Sequence, residues 1–282
     1  MASSDTFPAS VRPSGPPQIP THDTLDLPHL ISPRLRAWTA PLLLILGVQC
    51  WLILGHGDYG LRFQRRLVLA AVVLSLIPPV NRLACALLER IRRPSRRLTT
   101  ILAIAIALLA TCYFPFTGWY QSRNFEPKWQ DEFSYLIQFQ MLARGRLWMP
   151  QHPLADFFDT FQVLVKPVYA SIYFPGAALV YTPMKWLHVP YWLASSAAAG
   201  ITVALLYLIV TELVDHLAGL LAALMLVGVS MFRKLALMIG GHPPLMLLAM
   251  AMMLCWLRWR RTRRHGWAVA AGAFAGWGAI TR

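Results

Sequence analysis

The chain has 282 residues, of which 57% are hydrophobic and 13% charged, with a formal net charge of +14. Soluble domains carry about 25% charged residues, so apolar blocks of span length exclude an ordinary soluble fold. The arginines crowd into short connections beside those blocks, which excludes a nucleic-acid partner, because a binding groove needs a solvated basic face.

The first 36 residues are rich in Pro and Ser and are expected to form a disordered cytoplasmic tail. The first apolar block starts only near Ala37. It reads as a retained span, not as a cleaved signal. Apolar spans are expected at 38–55, 67–88, 99–117, 190–212, 217–232, 243–257 and 266–282. The first two make an N-terminal hairpin over 37–98, and 99–282 makes one transmembrane module. The fold class is therefore all-α: a polytopic transmembrane helix bundle with a long first outer loop containing interfacial helices. Cys50, Cys85, Cys112 and Cys255 lie in or at the ends of apolar segments. They show no metal-ligand spacing and read as small buried hydrophobes.

Two connections set the orientation. "ERIRRPSRR" (89–97) and "RWRRTRRH" (258–265) hold five arginines each, which places both in the cytoplasm. Arg62, Arg65 and Arg66 fall on the outer side in this reading and are outvoted. The stretch Gly118–Lys166 balances five basic with five acidic residues and is expected outside. Four apolar candidates follow it before the second arginine loop, yet the crossings must be odd in number. The stretch 168–187, "VYASIYFPGAALVYTPMKWL", holds Pro175, Gly176, Pro183 and Lys185. It is the one expected to lie at the outer surface and not to cross. Asp131, Glu132, Lys166, Arg233, His242 and Arg282 then share one side of the membrane.

Within that set, "WQDEFSYLIQ" places Asp131 at a helix start, with Gly145 as a C-terminal stop. One reading makes Asp131 an N-cap and Glu132 a dipole-favoured neighbour. The other makes them a general base or metal-binding pair at a membrane-edge cleft, where desolvation suits a proton acceptor. Lys166 either snorkels to head groups or binds a phosphate, and Arg233-Lys234 has the same two readings. Arg282 ends a span, where a charge is costly unless paired. His242, in "GGHPP", either caps a loop or orients a substrate, with Pro243-Pro244 suited to the first turn of a helix. No Walker loop, dinucleotide fingerprint, zinc-type histidine pair or serine elbow occurs, so no cofactor is assigned and a divalent metal stays open.

The order of "DE" opening a loop helix, "ARGRLWMPQHP", "KPVYASIYFPG", "LLYLIVTEL", "GGHPPLMLLAMAMMLCWLRWRR" and "GAFAGWGAITR" resembles the GT-C membrane glycosyltransferases. The types it resembles are the protein O-mannosyltransferase-like and aminoarabinose-transferase-like enzymes, over about residues 99–282. The resemblance implies a polyprenyl-phosphate sugar donor, a glycan, lipid or protein acceptor, and transfer at the outer face of a bacterial inner membrane. Asp131 matches the family's first-loop acid, thought to deprotonate the acceptor hydroxyl, and Glu132 is its neighbour in the motif. Lys166 matches the lysine before the loop's proline, and Arg282 closes the "TR" motif. Many relatives carry an aspartate in the second outer loop, where this chain has His242. The pattern stops inside a helical segment, so the chain is expected to be the N-terminal part of a longer protein. The competing readings are a transporter or flippase of lipid-linked sugars and a truncated inactive membrane protein.

Overall fold

The computed structural model describes residues 94–281, together with Val73 and 77–79. The tail read over 1–36, the span over 38–55, most of the span over 67–88, and Arg282 lie outside the described residues. The described chain is mostly helical. Its elements run α1 (Arg96–Tyr120), α2 (Gln130–Ala143), β1 (Met149–Pro150), a 3₁₀ turn (Ala155–Phe158), β2 (Val163–Leu164), β3 (Val168–Ser171), α3 (Gly176–Trp186), α4 (Trp192–Leu213), α5 (His216–Gly228), α6 (Ser230–Leu235), α7 (His242–Thr262) and α8 (His265–Ala279). Two of these helices, α1 and α4, are long and apolar enough to cross a membrane.

The α1 helix starts where Ser95 accepts a hydrogen bond from the Leu98 amide at 3.3 Å, the usual work of an N-cap. It packs along α4 through small residues. A Cβ added to Gly200 would lie 2.1 Å from Thr111 Oγ1 and 2.6 Å from the Ala107 carbonyl, so only glycine admits this approach. Ser196 seals the same seam by donating to the Thr111 carbonyl at 2.6 Å. The core there joins Phe114, Val203 and Tyr207 to Phe232 and Leu237 beyond α5. Cys112, read as buried, is exposed on α1, whereas Cys255 is buried; apolar residues on a lipid-facing helix need not face protein.

Two expectations are amended. The block at 217–232 is two helices, because Val229 adopts an extended backbone (φ −70°, ψ 117°) between α5 and α6. A 13-residue α5 reaches about 20 Å, short of a hydrocarbon core of about 30 Å. The stretch between α1 and α4, expected to be an outer loop with interfacial helices, is also not purely helical. Three short segments of it pair as a small antiparallel sheet of order β1-β3-β2, with Val163, Val168 and Tyr169 among the paired residues. Ser134 and Gln138 tie α2 to this sheet side of the loop, donating to the Gln162 and Tyr173 carbonyls at 2.6 Å each. The α3 helix has 11 residues and reaches about 16 Å, too little to cross.

A second core joins Tyr135 and Phe139 of α2 to Ala177, Ala178 and Tyr181 of α3, and to Ile239. At its centre the Tyr181 hydroxyl donates to the Gly240 carbonyl at 2.8 Å and accepts from the Gly240 amide at 3.2 Å. Ser195 of α4 donates to the Met238 carbonyl at 2.6 Å. The turn before α7 is thus held from two helices.

Two substitutions test this packing. Gly200→Val should lower the unfolding midpoint in detergent and cost at least about 1–3 kcal/mol through overpacking. Tyr181→Phe should cost about 1–3 kcal/mol, because it strands both backbone groups of Gly240. Hydrogen exchange at the 238–241 amides would rise in the second variant alone.

Candidate functional site

The α2 helix begins one residue before Asp131. Trp129 is its N-cap and carries no side-chain acceptor, so Glu132 supplies the capping. The Glu132 Oε1 accepts from the Lys128 amide at 3.0 Å and from the Trp129 amide at 3.2 Å. Glu132 is only 3% exposed. Asp131 is therefore not the N-cap that the sequence suggested; its Oδ1 accepts from the Glu132 amide at 3.0 Å. The two adjacent acids are divided in role by one position of helical phase. Gly145 adopts φ +68° just past the helix, the left-handed stop expected there.

Half-buried Asp131 lines a cleft of about 240 Å³ together with His242, Gly240, Pro243 and Trp129. His242 is exposed at the first position of α7, whose first turn carries Pro243 and Pro244. The sequence separation of 111 residues between these two side chains is thus closed by the Tyr181-held turn. Thr281 also reaches this junction. A Cβ on Gly241 would lie 2.9 Å from the Tyr135 hydroxyl and 3.2 Å from the Thr281 carbonyl.

An adjoining cleft of about 350 Å³ shares Trp129 and Met238 with the first and is lined by Arg123, Lys128, Glu132 and Lys234. Burial, and next the nearby charge of Arg233, lower the pKa of the Arg123 guanidinium from its ordinary value. Arg233 itself is buried on α6. Glu126 also lines this cleft; its three cations outnumber its two carboxylates by one, which leaves it net positive and suited to an anion. Tyr191, at the N-cap of α4, donates to the carbonyl of Phe125, a residue of the cleft wall, at 2.6 Å. Burial, with Glu132 and Glu126 adding to it, pushes the Tyr191 hydroxyl up to about 12, so it remains a donor at neutral pH.

Of the residues singled out in the sequence, the structure brings Asp131 and His242 into one cleft, with Glu132 beside it as a cap. Arg233 is buried and lines neither cleft, but its charge acts on Arg123 of the adjoining one. Lys166 is exposed, pairs with Asp156, and lines neither cleft. Arg282 lies outside the described residues. Sequence reasoning missed Arg123, Lys128, Tyr135 and Tyr181. A signal for the first two was present, since both sit in the same short stretch as the acids. Asp131 and His242 are the side chains of a metal-ligand type in the first cleft. Among the described residues no group of three or more His, Cys, Asp and Glu is placed to hold a metal.

Comparison with known proteins bears on one wall of this site. Residues 183–282 match the family model for dolichyl-phosphate-mannose-protein mannosyltransferase. No curated protein and no solved structure matches the chain. The matched segment contains the His242 turn and Thr281, while Asp131 and Arg123 lie outside it. From the end of α3 onward, the chain is similar to membrane mannosyltransferases of GT-C type.

Proposed function

We propose that the protein is a glycosyltransferase that moves a sugar from a polyprenyl-phosphate donor to an acceptor hydroxyl at the outer face of the membrane. The observation that carries this reading is the adjacency of the Asp131–His242 cleft to a cleft lined by Arg123, Lys128 and Lys234. One cleft offers a proton acceptor and the other an anion site, which are the two needs of the reaction. The similarity of residues 183–282 to mannosyltransferases supports the same chemistry.

In residue terms, the acceptor oxygen attacks the anomeric carbon and its proton passes to Asp131. The bond from that carbon to the phosphate oxygen breaks, and the polyprenyl phosphate leaves with the electron pair. Arg123 and Lys234 stabilise the negative charge it gains. Arg282, which follows Thr281 directly in sequence, is a further candidate for that role. Lys166 is already engaged by Asp156 and is the weaker candidate. His242 orients the acceptor across from Asp131. The acceptor is a glycan, lipid or protein hydroxyl, and the long apolar helices keep the donor's polyprenyl chain within reach of the site.

Three measurements test this assignment. In membranes carrying the protein and a labelled polyprenyl-phosphate sugar, Asp131→Asn should lower transfer by at least about two orders of magnitude. Glu132→Gln keeps an acceptor for the two capping amides and should retain most of the activity; near-normal transfer by Asp131→Asn would remove the base from the scheme. Arg123→Gln should weaken donor binding and raise KM for the donor more than it lowers kcat. For sidedness, Lys185→Cys and His242→Cys in a background without native cysteines should both react with an impermeant maleimide from outside. Protection of both would reverse the orientation.

A further inference from the structure

The end of the bundle opposite Asp131 holds a second built cleft, of about 530 Å³, where the start of α1, the end of α4, the end of α7 and the start of α8 meet. Its walls include Arg96, Arg258, Arg261, Glu212, Thr100 and Trp267. Three guanidinium groups face one carboxylate. Arg258 is fixed in place: its Nε donates to Glu212 Oε1 at 3.0 Å, and its guanidinium carbon stands 5.0 Å from the centre of the Trp267 ring. Arg96 and Arg261 have no side-chain partner among the described residues, so the cleft keeps an excess of positive charge.

The surroundings identify the anion. The cleft lies at the ends of two span-length apolar helices, α1 and α4. Beside it Arg260 and Arg263 stand over Trp256 and Trp259 at 5.0 and 5.5 Å, the amphipathic pairing of a membrane–water interface. From its rim, Leu98, Ile101, Ile104 and Leu108 run exposed along one face of α1, a path fit for an acyl chain. A soluble anion would use the charge but not the apolar track that leads from it.

We infer that this cleft binds the headgroup phosphate of an anionic phospholipid, with Arg96 and Arg261 as donors around a pre-oriented Arg258 and an acyl chain along α1. The inference concerns a different end of the molecule from the transfer site and does not depend on it. The test uses the full chain purified from vesicles of phosphatidylcholine containing a minority of phosphatidylglycerol, with bound lipid counted by native mass spectrometry. Phosphatidylglycerol should be retained in preference to phosphatidylcholine. The pair Arg96→Gln and Arg261→Gln, two exposed side chains outside the packing, should lower its retention by about tenfold or more. The pair Arg263→Gln and Arg264→Gln removes the same charge outside the cleft and should change it little. Equal loss in both pairs, or equal retention of the two lipids, would overturn the inference. Displacement of the lipid by millimolar inorganic phosphate would show that the cleft takes a free anion and would overturn the lipid assignment.

Discussion

The Tyr181 hydroxyl is the group on which the arrangement of the Asp131–His242 cleft depends. It is fully buried and is engaged on both sides: it donates to the Gly240 carbonyl and accepts from the Gly240 amide. A phenol has one proton, and here it goes to the Gly240 carbonyl. Burial pushes its pKa up to about 12, which keeps the proton on the oxygen across the neutral range. The turn it holds is non-helical backbone enclosed among helices, where unpaired amides and carbonyls are costly. One side chain removes that cost and, in doing so, fixes the point from which α7 presents His242.

The same junction is closed from the far end of the described chain. The Gly176 amide donates to the Ile280 carbonyl at 2.8 Å, and Trp277 donates back to the Gly176 carbonyl at 3.0 Å. A Cβ on Gly176 would lie 2.4 Å from that Ile280 oxygen, so glycine is what lets α3 and the end of α8 meet. Three stretches separated by many residues, around Gly176, Gly240 and Thr281, thereby become one support behind a single cleft. Glycines at such contacts act through absence of bulk, which is why their role is visible only once the partner backbone is known.

The sequence made some of this legible and hid the rest for identifiable reasons. Long apolar runs gave α1 and α4 to within three residues at each end, because a span must satisfy its backbone internally and so declares itself by length. The 243–257 run was seen, and the structure extends it to His242–Thr262 because its arginine-rich end remains helical. The break at Val229 was invisible, since hydropathy does not register a change of backbone direction inside an apolar run. Asp131 and Glu132 were legible as a pair at a helix start, but not which of them caps. That depended on the helix beginning at Gln130, and boundaries are set by tertiary contacts as much as by propensity. Arg123 was overlooked because its meaning comes from Arg233, 110 residues away.

That division between the two acids has a physical consequence for the proposed reaction. A carboxylate oxygen that already accepts two backbone amides is held by the helix start and is not free to turn toward a substrate hydroxyl. Glu132 is in that position, buried and committed to the start of α2. Asp131 accepts one amide, from Glu132, and faces the cleft that also contains His242. The cap therefore orients its neighbour: while Glu132 holds the Lys128 and Trp129 amides, the first turn of α2 cannot fray, and the Asp131 carboxylate keeps its aim. A helix start with a single acid would have to choose between closing the turn and receiving a proton. Two consecutive acids separate those tasks, and the 100° of rotation between successive helical residues directs one inward to the backbone and the other to the cleft.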